Sequence, residues 1–280
     1  MRLKPRLNPD VNQYWICDSG RYNYRFIDEH RVQYPQINNE IISWDQAIET
    51  MAQKFSQLQK SGQTNKIGVI ASAQLTNEDL FVIRKFFKDG LKQVSVDYRV
   101  SENPGDSDDF LIKADKNPNT AGANVILPAE DSSGAGKIID QAKRGELEIL
   151  YVFGQDLIKL YGKDVVSQIA SKVKLFVWQG STINETCSYA HVILPSAVYA
   201  EKDGTFTNVQ RRVQRIWQAF LPIADAKVDW EIIMLLAQKV GVNLTYKDSE
   251  TIFKELSSNV AAFSEMTYEK IGEQGAILKG

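Results

Sequence analysis

Cysteine and histidine are scarce in this sequence, which holds two of each: Cys17, Cys187, His30 and His191. Two cysteines in 280 residues exclude a disulfide scaffold. A structural zinc site takes about four Cys or His ligands at paired spacings, and these four stand as scattered singles. A four-cysteine iron–sulfur cluster built within the chain is arithmetically impossible. No apolar run approaches the ~18 residues of a membrane-spanning helix. The basic start, Met1-Arg2-Leu3-Lys4-Pro5-Arg6, is not followed by the apolar core of about 7–15 residues that a secretory signal needs, so the sequence reads as cytoplasmic. A one-sided charge is missing too. The 33 Lys and Arg stand against 35 Asp and Glu, a net charge of −2, which gives no global pull toward nucleic acid or an anionic membrane.

What is present is an ordinary globular composition, 43% apolar and 24% charged. At roughly 150 residues per domain the length alone suggests two domains. Residues 1–45 are rich in Asn, Pro, Arg and Tyr, lack strong periodicity, and read as short strands and loops. From Trp44 to Leu58 the apolar positions Ala47, Ile48, Met51, Phe55 and Leu58 recur at helical spacing, and Ser61-Gly62 ends the run.

A strand–helix–strand unit follows. Residues 67–71 suit a buried parallel strand. Thr76, with Asp79 three positions on, caps a helix over residues 78–88 that Gly90 stops, and residues 94–96 form the next strand. Residues 98–122 are polar, with Pro104-Gly105, Asp106, Asp108, Asp109 and Pro118, and read as a long functional or docking loop, or a place where something was lost. The rhythm resumes with a strand at 147–153 closed by Gly154, a helix over 156–171, a strand at 175–178 closed by Gly180, and a strand at 192–194 stopped by Pro195. An apolar helix opens at Asp229-Trp230 and ends at Gly241, and the last forty residues look like a smaller helical tail. This alternation predicts an α/β fold: a doubly wound, mainly parallel sheet with helices on both faces and a short, irregular, β-rich N-terminal segment. Ligands of such sheets sit beyond the strand C-termini, so residues 154–156, 179–187 and 195–208 are expected to share one rim. Asn124–Pro128 (NVILP) nearly repeats His191–Pro195 (HVILP), an echo cheap enough to arise by chance.

Several chemistries can be weighed. No Gly-rich dinucleotide turn follows the first strand, where Ser72-Ala73-Gln74-Leu75 stands, and no P-loop is present. Asp131-Ser-Ser-Gly-Ala-Gly-Lys137 contains Gly-x-Gly-Lys but lacks P-loop spacing, and reads as a loop before a helix. Cys187 and His191 could be a nucleophile and its base, or a packed thiol and a strand-edge imidazole. The densest polar run is Glu201-Lys-Asp-Gly-Thr-Phe-Thr-Asn208, followed by Arg211, Arg212 and Arg215. Gly204 permits an unusual backbone angle, and Arg212 is a bidentate phosphate donor. The run suits a phosphorylated ligand, or equally a hairpin with a solvated charged face.

The order Ala190-His-Val-Ile-Leu-Pro195, Glu201-Lys-Asp-Gly-Thr-Phe-Thr-Asn208, Arg212-Val-Gln214 and Asp229-Trp230 resembles the molybdopterin oxidoreductase superfamily. Residues 1–6, Val11–Arg21 and Asp109–Asn119 look most like one branch, the large iron–sulfur subunit of NADH-quinone oxidoreductase (respiratory complex I) and of related NAD-linked hydrogenases.

Departures from the family pattern go with these matches. Cys17 matches only the last of four cluster cysteines. Ser19 replaces the usual Lys, His191 replaces an acidic residue, and Gln210-Arg211 replace Glu-Gly. Residues 98–122 bridge the place where catalytic relatives insert a second nucleotide-binding domain, and little chain follows the Asp229 helix. The resemblance thus implies an N-terminal remnant at 1–45 and one α/β domain at 46–280 without the inserted domain. The expected function is a cofactor-less structural component of an NADH-linked electron-transfer complex, with a catalytic enzyme binding one pterin dinucleotide as the alternative. A pterin, if held, would meet Gly154, Thr186, Glu201, Gly204, Thr205, Asn208 and Arg212. A 4Fe–4S cluster would need Cys17 plus thiols from another polypeptide. The implied partners are iron–sulfur and NADH-binding subunits, joining near Arg2, Lys4, Arg6, Cys17 and Arg21. Nucleic acid and direct membrane insertion are not expected, and the location is cytoplasmic or peripheral to the inner membrane.

Overall fold

A computed structural model of the protein describes residues 3–99, 107–109, 112–128 and 133–279. Arg2, the Pro104-Gly105-Asp106 part of the polar stretch, Phe110-Leu111 and Asp131-Ser132 of the Gly-x-Gly-Lys segment lie outside the described residues.

The strands are β1 (Gln36–Ile37), β2 (Glu40–Ile41), β3 (Ile67–Ile70), β4 (Ser95–Asp97), β5 (Ile149–Phe153), β6 (Leu175–Gly180), β7 (Val192–Pro195), β8 (Gly204–Thr207), β9 (Arg212–Ile216) and β10 (Ala276–Ile277). The helices are α1 (Asp18–Tyr22), α2 (Trp44–Lys60), α3 (Asn77–Ile83), α4 (Thr120–Ile126), α5 (Ala135–Arg144), α6 (Leu157–Tyr161), α7 (Lys163–Lys172), α8 (Asp229–Val240), α9 (Ser249–Asn259) and α10 (Tyr268–Ile271).

The main sheet has the order β2-β1-β7-β6-β5-β3-β4. Its five strands from β7 to β4 are parallel, and the β1–β2 hairpin adds antiparallel to β7. The parallel strands are near-continuous apolar runs because both faces are covered. Side chains alternate between two cores. Ile149, Tyr151 and Phe153 of β5 join Val177 and Leu194 beneath α2, α3 and α8. Leu150 and Val152 join Phe176 and Trp178 beneath α5 and α7. The doubly wound, mainly parallel α/β architecture expected from the strand–helix rhythm is the one observed. A second, antiparallel sheet of order β10-β9-β8 stands beside it.

Several expectations need correction in detail. Thr76 does cap α3 through a capping box with Asp79, but after Ile83 the helix widens into a π-type turn over Arg84–Gly90. The helix expected over 156–171 breaks at Gly162, whose φ of +87° separates α6 from α7. The N-terminal segment is less β-rich than expected. Cys17 caps α1, a 3-10 turn follows at Arg25–Ile27, and the β1–β2 hairpin holds the only strands of residues 1–45 among the described residues. The NVILP echo has no structural meaning: Asn124–Ile126 end α4, while Val192–Pro195 form β7. The C-terminal helical tail ends in β10, which pairs with β9.

Gly68 in β3 marks a close approach of helix to sheet. A Cβ there would lie 2.6 Å from Leu147 Cδ1 and 2.7 Å from Ile138 Cγ2. Gly68→Ala therefore overpacks the α5 face and lowers stability by about 1–3 kcal/mol. Urea unfolding should show an earlier midpoint with an unchanged slope.

Candidate functional site

A cavity of about 490 Å³ opens at the C-terminal ends of the parallel strands. Ser72 lines it after β3, Gly154 after β5, Gly180 and Ser181 at the end of β6, and Ser196 after β7. Trp178, Phe206 and Tyr199 supply aromatic wall, and Gln179, Lys202 and Asp229 supply polar groups. A larger and more open groove, about 1070 Å³, runs between the β1–β2 hairpin, α2 and α8. We place the candidate site at the smaller cavity because it occupies the crevice where open α/β sheets bind ligands.

The polar groups of the cavity belong to one buried network. Lys202 Nζ donates to Asp79 Oδ2 at 2.8 Å and to Asp229 Oδ2 at 2.7 Å. Gln179 Nε2 donates to Asp229 Oδ1 at 2.8 Å, and Tyr151 Oη donates to Gln179 Oε1 at 2.6 Å. Thr76 Oγ1 donates to Asp79 Oδ2 at 2.7 Å, and the Trp230 backbone N–H donates to Asp79 Oδ1 at 3.1 Å. Burial pulls the Lys202 ammonium toward its neutral form, but the Asp229 and Asp79 carboxylates outweigh it and hold the amine charged, above its ordinary range. Burial raises the Asp229 carboxyl, with Lys202 opposing.

A second network lies behind the first. Glu78 accepts from the Thr205 N–H at 2.8 Å, from Thr205 Oγ1 at 2.9 Å and from Tyr268 Oη at 2.8 Å. Asn77 Nδ2 donates to Thr205 Oγ1 at 2.9 Å and to Thr207 Oγ1 at 3.0 Å, while the Thr207 N–H donates to Asn119 Oδ1 at 2.7 Å. Burial pushes the Glu78 carboxyl up to about 7, against the opposing pull of the Thr205 and Tyr268 donors.

The expected rim is one cavity in part. Gly154, residues 179–182, residues 196–199 and Lys202 share it, together with Phe26, Ser72, Pro118 and Asp229, which were not expected. Of the seven pterin-rim residues expected, only Gly154 lines it.

The other six sit elsewhere, and of these only Gly204 and Thr205 of the β8–β9 hairpin are turned inward onto α3. Glu201 forms a bidentate pair with Arg31, at 2.7 and 3.0 Å, and accepts the Val198 and Ile223 N–H groups. At Gly204 an added Cβ would stand 2.9 Å from Thr76 Cγ2 and 3.0 Å from Glu78 Oε2. Thr205 is the partner of Glu78. Asn208 closes the β8–β9 turn by accepting the Gln210 and Arg212 N–H groups. Arg212, expected as a phosphate donor, pairs with Asp10 at 3.0 Å and donates to the Gly275 carbonyl. Thr186 donates to Asp156 and receives the Ile158 N–H.

Cys187 and His191 are not a catalytic pair in this arrangement. The Cys187 thiol faces Asn184 and is pushed by burial up to about 11. His191 Nδ1 accepts the Phe176 N–H at 2.9 Å, and burial favours its neutral form. Cys17 is half-buried, and its Sγ accepts the Gly20 N–H at 3.3 Å. Among the described residues no three His, Cys, Asp or Glu side chains gather as a metal site. Gln179 lies within the expected rim and Asp229 within the resembling motif, but sequence reasoning missed Arg31 and read Asp79 only as a helix cap. The signal for a wider role of Asp79 is the run Asn77-Glu78-Asp79, three polar residues that open a helix continuing Leu80-Phe81-Val82-Ile83 and therefore need buried partners.

Residues 117–239 match the molybdopterin oxidoreductase family model. The matched residues make up less than half of the chain, so the similarity to that family is one of this stretch. Among curated relatives, a Staphylococcus haemolyticus protein named by inference as a formate dehydrogenase is 36% identical over 136 residues, which is 48% of this chain and 14% of that protein. A similarly named Bacillus subtilis protein is 35% identical over 145 residues, 51% of this chain and 15% of its own length. The matched stretch thus spans about one seventh of these relatives. Acetylene hydratase from Pelobacter acetylenicus shares the fold, with a TM-score of 0.61 at 11% identity over 98% of this chain and 70% of the enzyme. No helix among the described residues is long and apolar enough to cross a membrane.

Lys202→Met leaves two buried carboxylates facing each other without their cation and should cost about 3–5 kcal/mol at pH 7. Adding Asp229→Asn to that variant should recover part of the loss, read as unfolding midpoints of the three proteins.

Glu78 gives a pH signature. Its folded-state pKa of about 7 lies above the ordinary 4.5. The folded protein therefore binds more protons than the unfolded chain between those values, and stability falls as pH rises through that window and is level above it. The fall amounts to about 3 kcal/mol. In Glu78→Gln the decline between pH 5 and 7 should flatten, because the amide does not titrate, and both hydroxyl partners can turn to accept from it.

Proposed function

We propose that this chain supplies one pterin-binding wall of a molybdopterin-dependent oxidoreductase. The observation that carries the reading is the cavity beyond the parallel strands, walled mainly by residues of the 117–239 stretch. Its volume of about 490 Å³ suits one arm of a pterin dinucleotide rather than a two-pterin cofactor. The donor set fits as well: hydroxyls of Ser72, Ser181 and Ser196, the Gln179 amide, the Lys202 ammonium and the turn at Gly154. When bound, the molybdenum–pterin group supplies two-electron redox chemistry.

The chain's own residues bind and orient. Lys202 places a fixed positive charge in the wall, and Asp229, itself held by Gln179, fixes that charge from behind. The name the two relatives share, formate dehydrogenase, supports an oxidoreductase role.

A second reading has its own supporting observation. Arg212, expected at the rim as a phosphate donor, is instead spent on Asp10 and the Gly275 carbonyl. That favours a cofactor-less structural subunit of an NADH-linked, complex I-type assembly with iron–sulfur partners. Cys17 would there serve only alongside thiols from another polypeptide. Protein purified from its native host separates the two readings. Oxidised-pterin fluorescence with elemental analysis should give close to one pterin and one molybdenum or tungsten per chain for the enzyme. Contents far below stoichiometry would sink that reading and leave the structural one.

A further inference from the structure

Arginine and lysine are segregated in this chain. It holds 11 arginines and 22 lysines. Six of the arginines (Arg6, Arg21, Arg25, Arg211, Arg212 and Arg215), but only one lysine, Lys4, fall in the two short stretches 3–25 and 209–221. Those stretches hold just two acidic residues, Asp10 and Asp18, in a chain whose net charge is −2.

The same stretches carry the exposed apolar side chains. Of the 13 large hydrophobic residues exposed among the described residues, eight lie there, including Tyr14 at 63%, Tyr22 at 55%, Trp217 at 44%, Phe220 at 55% and Leu221 at 83% exposure.

The two stretches are joined in space. Arg6 and Arg215 both stack on the Trp217 ring, at 5.1 and 5.0 Å. Asp10 pairs with Arg212 across the two stretches, while the Leu3 N–H donates to the Arg21 carbonyl within the first and Asn8 donates to the Gln274 carbonyl of the C-terminal segment at 2.9 Å. The surface also adjoins the mouth of the cavity. The Ala219 and Phe220 N–H groups both bond the Ala200 carbonyl, next to Tyr199, which lines the cavity and packs on Phe26.

We infer that this face is a docking surface for a partner polypeptide whose contact region is acidic around an apolar centre. Composition decides the class of occupant. Protein interfaces are enriched in Arg, Trp, Tyr and Phe and depleted in Lys. A surface tuned to phosphate backbones or anionic lipid would recruit lysines as readily, and here 21 of the 22 lysines lie elsewhere. Charge decides the partner's sign. Two guanidiniums share one indole, and among the described residues no carboxylate pairs with Arg6, Arg21, Arg25 or Arg215. A partner's carboxylates would supply the missing counter-charges while its apolar centre covered Trp217 and Phe220. The docked partner would also border the cavity mouth. The inference is independent of whether a pterin is bound.

A photo-crosslinking amino acid placed at Phe220, and in a control protein at the exposed Ile112, tests this in the native host. The expected result is crosslinking from position 220 to one other polypeptide. The attached peptide should be rich in Asp and Glu, and the yield should fall at least tenfold in Arg6→Glu/Arg21→Glu and at 0.5 M salt. Melting temperature and pterin content should be unchanged by those two substitutions. Crosslinks only to a second copy of this chain, only to lipid, equally from both positions, or from neither would each overturn the inference. Loss of pterin with crosslinking intact would bear on the proposed function alone.

Discussion

Lys202 is held between Asp79 and Asp229 with all three side chains buried, and the placement of α3, α8, β6 and the start of β8 around the cavity depends on it. Taking such charges from water costs several kcal/mol per ion. The cost is offset only when each charge finds partners in a fixed geometry. The partners come from different parts of the chain: Asp79 from α3, Asp229 from α8, Gln179 from β6 and Lys202 from the loop before β8. Moving any one of these elements by an ångström would strand a buried charge. The triad therefore sets the distance between the small antiparallel sheet and the main sheet, and with it the width of the cavity between them.

The N-terminus of α3 extends the same logic. Asn77, Glu78 and Asp79 are consecutive and fully buried, and together they reach three other parts of the chain. Asn77 takes the two threonines of β8, Glu78 takes Thr205 and Tyr268 of α10, and Asp79 takes Lys202 and the first turn of α8. Acidic side chains in the first helical turn are favoured by the aligned peptide dipoles, which lowers the cost of placing two carboxylates there. The close packing leaves no room at Gly122, where a Cβ would meet Asn77 Oδ1 at 2.0 Å and Asn119 Oδ1 at 2.3 Å.

The main sheet was legible because its strands are apolar on both faces. Residues 67–70, 149–153 and 175–178 need no tertiary information to be read as buried parallel strands. Thr76 as a cap was legible for the same reason, since its partner Asp79 is three residues away. The site was less legible because its bonds span up to 190 residues, as between Tyr268 and Glu78. Nothing local to Arg31 announces Glu201 as its partner, and nothing local to Asp79 announces Lys202. The inward turn of the β8–β9 hairpin was hidden too. A run of polar residues after a strand reads as solvated unless buried carboxylates elsewhere are waiting for it.

That outcome changes what the motif means. Glu201, Lys202, Gly204, Thr205, Thr207 and Asp229 carry the family resemblance, and each is engaged inside the protein: with Arg31, with two aspartates, against Thr76, with Glu78, with Asn77 and with Lys202. Their chemistry is that of fold construction. A chain that kept this architecture and lost its cofactor would have to keep the motif, and so would a chain that kept both. The motif therefore testifies to the fold equally under either functional reading. Discrimination falls to the groups that face the cavity, namely the serines beyond β3, β6 and β7, the Gly154 turn, the aromatic wall of Trp178 and Tyr199, and the face of Lys202 not spent on Asp79 and Asp229. These are short-range features of strand ends, and selection for a bound pterin would act on them while leaving the buried triad untouched.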